Sequence, residues 1–140
     1  MANIRAKVFE YRTQLDPGHG LRAEGGNPLA TGDGWSPENL LLGALLRCIT
    51  ASLEHYAGPA GVAVAVTGEA HGTVTLREDE GVFGLVSAEA DVAVTLDPLP
   101  EPDAVVKLLR RAKAGCFVSN SLSVHPVFRF TVNGAPVDIA

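Results

Sequence analysis

The sequence predicts an α+β fold in which two helices pack on a mostly antiparallel sheet. Three observations support this prediction. Apolar residues recur at helical spacing over residues 37–56 and again over residues 103–116. Apolar and polar residues alternate along two long stretches between these helices, as in a pair of half-buried strands. Tight turns or single helices join the successive segments, which gives the order β-β-α-β-β-α-(α)-β and favours antiparallel neighbours.

The composition is that of one ordinary globular domain spanning residues 1–140. Of the 140 residues, 46% are hydrophobic and 19% are charged. The formal net charge of -5, without a lysine and arginine cluster, makes nucleic acid a poor partner. No stretch reaches the roughly 18 apolar residues of a membrane span, and the N-terminal residues do not resemble a signal peptide. We therefore expect a cytoplasmic protein with no nucleic-acid or membrane partner.

The N-terminal residues predict a β-hairpin. Residues 2–15 are rich in strand formers, and residues 21–26 form a short returning strand. The "DPGHG" segment between them, Asp16 to Gly20, has the proline and glycine residues that favour a tight reversal. Residues 26–34 are polar and glycine-rich, which predicts a loop.

A long, well-capped helix follows this loop. Ser36 is a good N-cap, Pro37 suits the first helical position, and Glu38 places negative charge in the first turn. Small and apolar residues share one face of this helix: Leu41, Ala44, Leu45, Cys48, Ser52 and His55. Further leucines and an isoleucine widen the apolar surface beyond one stripe. A helix that is apolar nearly all round is buried in a core or in an interface.

The second half of the chain predicts a long antiparallel hairpin and a second helix. The two strands are residues 62–79 and 82–97, joined by a turn at Glu80 and Gly81. The helix covers Asp103 to Cys116, with Asp103 as N-cap and Gly115 as stop signal. Its apolar stripe contains Val106, Leu109 and either Ala112 or Lys113. A short irregular or helical piece and a last strand, residues 127–134, complete the order.

The two cysteines are the candidate reactive groups. Cys48 and Cys116 are 116 − 48 = 68 residues apart, with neither C-x-x-C nor metal-finger spacing, so we expect no metal and no cofactor. Cys48 is either a small hydrophobic side chain on a buried face or a reactive thiol. Cys116 is either an accessible thiol at a helix-to-loop junction or part of a mere turn. If the fold brings the thiols together, the obvious chemistry is a dithiol peroxidase that passes through a sulfenic acid and a disulfide.

A thiolate at neutral pH requires nearby positive charge, and that charge requires a carboxylate to position it. Glu38 is the candidate carboxylate, but ten residues of continuous helix place it about 15 Å from Cys48. The two residues share a site only if two copies of this helix cross in a homodimer. Arg47 points about 100° away from Cys48 on the helix and is a surface or interface residue. Arg12 and Arg22 in the N-terminal hairpin are the better candidates for the activating cation.

The four histidines, His19, His55, His71 and His125, show no ligand spacing. His55 lies on the same helix face as Cys48, one turn beyond Ser52. We interpret it as a packed residue at the helix C-terminus, where cationic side chains are favoured.

Two motifs together resemble the OsmC/Ohr family, the osmotically inducible and organic-hydroperoxide-resistance proteins. They are "SPENLLLGALLRC", Ser36 to Cys48, and "CFVSNSL", which begins at Cys116. The resemblance covers nearly the whole chain. It implies an intertwined homodimer with two long central helices wrapped by sheets. It also implies a cysteine-based peroxidase in oxidative-stress defence that reduces organic hydroperoxides, with a thiol or dithiol as reductant. Carried over by motif, Cys48 is peroxidatic, Cys116 is resolving, and Glu38 holds an activating arginine.

The chain departs from this pattern at the first hairpin turn. The organic-hydroperoxide branch of the family has an arginine there, in a Gly-Gly-Arg-like context, whereas the turn here is "LDPGHG" and Arg12 and Arg22 flank it. The chain therefore resembles the broader OsmC-like branch. The missing arginine motivates a second hypothesis, a catalytically weak dimer that binds an apolar small molecule. A third hypothesis is a structural dimer with two inert thiols.

Overall fold

A computed structural model of the 140-residue chain describes residues 7–18, 20–24, 26, 28–30 and 34–140. The chain divides into two compact units, Met1–Pro37 and Glu38–Ala140. The expectation of a single domain over residues 1–140 stays a prediction. Among the described residues, no helix is both long enough and apolar enough to cross a lipid bilayer.

The N-terminal unit contains a small antiparallel sheet of three strands. They are β1 (Thr13–Leu15), β2 (Gly20–Ala23) and β3 (Leu29–Ala30), in that spatial order. The predicted hairpin is therefore present, closed by a hydrogen bond from the Asp16 amide to the Gly20 carbonyl at 2.8 Å. Its described strands are shorter than predicted. The loop prediction for residues 26–34 is wrong at Leu29 and Ala30, which pair with Leu21 and Gly20.

The second unit begins with the long helix. Helix α1 (Pro37–Ala57) starts directly after Ser36, as the capping pattern predicts, and continues into a 3₁₀ turn at Gly58–Ala60. Gly61 ends this segment with φ +73°, a left-handed conformation that glycine adopts without steric cost. The buried residues of α1 are Leu45, Ile49, Ser52, Leu53 and Ala57.

A four-stranded sheet follows, with strands in the spatial order β4 (Ala63–Arg77), β5 (Val82–Asp97), β6 (Val127–Val132) and β7 (Ala135–Val137). β4 pairs with β5 and β6 pairs with β7, both antiparallel, whereas β6 runs parallel to β5. The parallel pairing follows from the helical crossover between β5 and β6, which returns the chain to the same end of the sheet. The sheet is therefore mixed.

Strand β7 is absent from the sequence prediction although its signal is present. Asn133 and Gly134 have φ of 48° and 86°, the conformation of the tightest hairpin turns. An Asn-Gly pair between apolar residues is a strong hairpin signal in any sequence. The prediction of a single terminal strand over residues 127–134 is wrong because the chain reverses at this pair.

Two helices form the crossover, α2 (Pro102–Ala114) and α3 (Phe117–Ser121). The N-cap of α2 is Glu101, so the prediction of Asp103 as N-cap is wrong. Pro102 takes the first helical position, which its fixed φ favours, and Asp103 lies in the first turn. The buried face of α2 contains Val105, with Leu109 and Ala112, while Val106 is only half-buried.

The core of the second unit joins α1 and α2 to one face of the sheet. Alternate residues of β5 contribute to it, which is why the sequence alternates there. The sheet residues of the core are Ala90, Val92, Val94, Leu96, Phe128, Phe130 and Val132.

Two glycines of β4 let α1 lie close to the sheet. A methyl group added at Gly68 would lie 3.3 Å from Leu46 Cδ2, and one at Gly72 would lie 3.3 Å from Leu42 Cδ2. At Gly68 the added group would also lie 2.9 Å from the Asp91 carbonyl oxygen. Because larger residues would push the helix away, these positions set the depth at which α1 and Cys48 lie.

Candidate active site

The structure brings the two cysteines together across the 68 residues that separate them. Cys48 lies midway along α1 and is half-buried, while Cys116 lies between α2 and α3. Both are free thiols. The Val118 amide, two residues after Cys116, donates to Cys48 Sγ at 3.4 Å, and Cys48 packs against the core cluster that contains Cys116, close enough to act on its pKa. The pair therefore lies where α1 meets the corner between α2 and α3.

The two cysteines differ in exposure, and Cys116 is the one that departs from the sequence expectation. Cys116 is 0% exposed, so the prediction that its junction leaves the thiol accessible is wrong. The chain does not enter an open loop after Gly115 but turns at once into α3, which directs Cys116 into the core and leaves Phe117 exposed. Cys48, for which the sequence left a buried hydrophobic side chain and a reactive thiol both open, is the cysteine that remains partly exposed.

A buried hydrogen bond fixes how α1 and α2 are aligned. Ser52 Oγ donates to the Ala112 carbonyl oxygen at 2.7 Å. Ser52 lies one helical turn after Cys48, and Ala112 lies four residues before Cys116. The Ser52–Ala112 contact and the meeting of Cys48 with Cys116 therefore lie one helical turn apart along the interface of α1 and α2. Ala112 is in the last turn of α2, where carbonyl groups have no amide of their own helix to bind.

Gly115 allows the same close approach. A methyl group there would lie 2.9 Å from both Cε2 and Oη of Tyr56, and 3.1 Å from Ser52 Oγ. The φ of Gly115 is -90°, which any residue adopts, so the requirement is for space and not for backbone conformation. The sequence identified Gly115 as a helix stop. The structure adds that it is the point where α1 packs against the end of α2.

Burial raises the pKa of Cys116 to about 11. The backbone amides of Ser119 and Val118 lower it, whereas the hydrogen bond and the charge of Cys48 raise it further. Cys116 is therefore a neutral thiol at neutral pH.

Glu38 and Cys48 are not brought together within one chain. Glu38 is exposed in the first turn of α1, about 15 Å from Cys48 along the helix axis. Arg47 is exposed, as expected from its direction on the helix. His55 is also exposed, and its ring contacts Tyr56 edge-to-face at 4.9 Å, so it is not the packed residue that the sequence predicted.

The two candidate activating arginines lie in the N-terminal unit. Arg22 Nε forms an ion pair with Asp16 Oδ2 at 2.7 Å. The backbone amide of Arg12 donates to Glu24 Oε1. His19 lies outside the described residues. Within the described part of the chain, no three histidine, cysteine, aspartate or glutamate side chains are close enough together to hold a metal ion.

Two features of the site were not predicted from the sequence. From the sequence, Ser52 was placed on the apolar face of α1 and given no further role. A hydroxyl among hydrophobic neighbours could have indicated a buried hydrogen bond, because buried polar groups are normally paired. The Val118 amide that contacts Cys48 has no sequence signal, because backbone groups of short helices are placed by tertiary packing.

A separate open cavity of about 830 Å³ lies along β6, lined by Val127, Phe128, Phe130, Val137 and Ile139 among others, but not by Cys48 or Cys116.

We expect Ser52→Ala to lower the free energy of unfolding by about 1–3 kcal/mol, because it leaves the buried Ala112 carbonyl without this donor. Ser121→Ala is the matched control. Its hydroxyl also donates to a helix carbonyl, that of Phe117 at 2.7 Å, but on an exposed surface where water replaces it. The control should change stability by less than about 0.5 kcal/mol. Urea unfolding checks both values, and equal effects of the two substitutions would contradict the importance of burial.

Comparison with known proteins identifies a family. A family model described as OsmC-like protein matches residues 30–131, which include Glu38 and both cysteines. No curated protein sequence matches the chain.

Solved structures of this family share the fold. The chain is similar to the OsmC-like protein from Mycoplasma pneumoniae, with a TM-score of 0.68 and 16% identity over 91% of this chain and 99% of that one. The organic hydroperoxide resistance protein OhrB of Bacillus subtilis gives a TM-score of 0.57 and 16% identity, covering 87% and 96% of the two chains. An organic hydroperoxide resistance protein from Elizabethkingia anophelis gives 0.61 and 17%, covering 91% and 98%. From its fold and its family match, this chain belongs to the OsmC-like protein family.

Proposed function

We propose that the protein is a thiol-dependent peroxidase that reduces organic hydroperoxides through Cys48 and Cys116, in defence against oxidative stress in the cytoplasm. The single observation that carries the proposal is the proximity of the two cysteines within one chain, where the Val118 amide beside Cys116 reaches Cys48 Sγ. Membership of the OsmC-like family supports it, as do the names of similar structures that are organic hydroperoxide resistance proteins.

Cys48 is the peroxidatic residue in this proposal because it is the partly exposed cysteine, whereas Cys116 is fully buried. Its thiolate attacks the terminal oxygen of the hydroperoxide, the O–O bond breaks, and the alkoxide leaves as an alcohol after taking a proton. The product on the protein is a sulfenic acid at Cys48. Cys116 does not compete for the peroxide, since it is buried and is held in the protonated form.

Cys116 then resolves the sulfenic acid. Its sulfur attacks the sulfur of Cys48, the S–O bond breaks, and the proton of Cys116 leaves with the hydroxyl group as water. The two cysteine side chains are already neighbours in the reduced protein, which supports this step. A thiol or dithiol reductant reopens the disulfide, and it attacks Cys48 because that residue is the more exposed of the two.

The active form in this proposal is a homodimer. Large apolar side chains are exposed on α1, on α3 and along the outer half of the β4–β5 hairpin: Leu41, Phe117, Val74, Leu76 and Phe83. Glu38, too far from Cys48 of its own chain, would act at Cys48 of the partner by holding an arginine, for which Arg12 and Arg22 are the candidates.

A second function has one observation in its favour. The cavity along β6 is largely apolar and separate from the thiols, which suits a dimer that binds an apolar small molecule. If hydroperoxide leaves both thiols unchanged, this function takes precedence.

We expect Cys48→Ser to reduce turnover of an organic hydroperoxide at least about a hundredfold, because it removes the nucleophile. Cys116→Ser should reduce the same peroxide once and then accumulate a sulfenic acid at Cys48, which a dimedone-type reagent traps. Measurement of peroxide consumption with excess dithiol checks the first result, and mass spectrometry checks the second. Undiminished turnover by Cys48→Ser would rule out the proposed peroxidatic residue.

Mixing two inactive variants tests whether Glu38 acts across the dimer. Random exchange of Glu38→Gln and Cys48→Ser protomers makes half of the dimers heterodimers, each with one complete site. We therefore expect about a quarter of the wild-type activity per protomer. If Glu38 serves Cys48 of its own chain, the mixture stays as inactive as its components. Each variant mixed with itself is the control.

A further inference from the structure

Arg77 forms contacts that have no role in the peroxidase reaction proposed above. It is the last residue of β4, and its side chain is only 23% exposed. Nη2 donates to the Leu85 carbonyl oxygen at 2.5 Å and to Ser123 Oγ at 3.1 Å. Nη1 forms a longer ion pair with Glu80 Oε1 at 3.6 Å. One guanidinium group therefore binds three separate parts of the chain.

The β4–β5 hairpin leaves space for this guanidinium group at Gly84. A methyl group at Gly84 would lie 3.0 Å from Arg77 Cζ and 3.1 Å from Nε, so the side chain lies directly against the Gly84 backbone. The pairing of β5 with β6 begins only at Glu89, which places the Leu85 carbonyl beyond that ladder. Arg77 thus supplies a donor to a carbonyl that β6 does not reach.

Ser123 connects Arg77 to the thiol pair. It lies two residues after α3, and Cys116 lies immediately before α3. Between them, the Val118 amide contacts Cys48 Sγ. A five-residue helix therefore links the resolving cysteine to the residue that Arg77 binds. The cysteine end of this segment is held by the buried α1–α2 contact at Ser52 and Gly115. The far end is held at the surface, where Arg77 Nη2 donates to Ser123 Oγ.

We propose that Arg77 is a positioning residue for closure of the Cys48–Cys116 disulfide, and that it acts by anchoring the segment 117–123 through Ser123. The inference rests on the proposed two-cysteine function. A disulfide bond of about 2.05 Å is shorter than any hydrogen-bonded sulfur contact, so the sulfur of Cys116 has to advance in a defined direction. When the far end of the segment is anchored, this approach is well oriented, and orientation of this kind governs the rate of intramolecular steps.

An aromatic disulfide, dithiobis-nitrobenzoate, tests this proposal without a peroxide. The Cys48 thiolate attacks it, its S–S bond breaks, and one coloured thiolate leaves while Cys48 becomes a mixed disulfide. Cys116, on losing its proton to solvent, attacks the Cys48 sulfur of that mixed disulfide and releases the second coloured thiolate as the Cys48–Cys116 bond forms. Stopped-flow absorbance separates the two releases.

We expect Arg77→Met to leave the first release within about twofold of wild type and to slow the second about tenfold. Ser123→Ala removes only one of the hydrogen bonds and should slow the second release about threefold. Two controls should leave both releases unchanged. Glu80→Gln removes only the long ion pair, and Arg129→Met removes an exposed arginine of the same sheet that binds Asp91 at 2.7 Å and Glu89 at 3.1 Å.

The proposal is overturned if the second release is as fast in Arg77→Met as in wild type, or faster. It is equally overturned if both releases slow together, since Arg77 would then act on stability alone, or if wild type shows no second release. Should Arg77→Met fail to fold, Ser123→Ala decides the outcome. Failure of the proposed function shows separately, as a wild-type protein that gives both releases but consumes no hydroperoxide.

Discussion

The thiol pair depends on one buried hydrogen bond, from the Ser52 hydroxyl to the Ala112 carbonyl at 2.7 Å. A shift of one turn along α1 would move Cys48 by about 5.4 Å and separate it from Cys116. Apolar side chains alone tolerate such shifts, because hydrophobic contact is not directional. The hydroxyl among the apolar residues of α1 resists them, since any other alignment would leave a buried polar group without a partner.

Unequal burial of the two sulfur atoms divides the proposed chemistry between them. In the proposed reaction the partly exposed Cys48 meets the peroxide and later the reductant, while the fully buried Cys116 meets only Cys48. The high pKa of Cys116 follows from the same burial and keeps it from premature oxidation. The burial of Cys116 and its raised pKa therefore favour the same order of events in the proposed reaction.

Local signals in the sequence predicted most of the fold. The capped start of α1, the stop at Gly115 and the alternation along β4 and β5 each depend on neighbouring residues, and the structure confirms them. The parallel pairing of β6 and the burial of Cys116 were missed because both depend on where distant segments pack. The Asn133–Gly134 turn was missed although its signal was local.

The candidate site also combines residues that the sequence predicted with contacts that it did not. Motif spacing identified Cys48, Cys116 and Glu38, and the structure brings the two cysteines together. The sequence contains no pattern for the contacts that hold them in place. Ser52 acts on a carbonyl 60 residues away, and the two residues that Arg77 binds by hydrogen bonds, Leu85 and Ser123, lie 8 and 46 residues from it.

A thiol count tests the central claim most directly, made on the reduced protein before and after one equivalent of an organic hydroperoxide. We expect two free thiols to fall to none, with the Cys48 and Cys116 peptides of a single chain joined by a disulfide and no increase in covalent mass. Two thiols that remain free, or a disulfide that links separate chains, would contradict it.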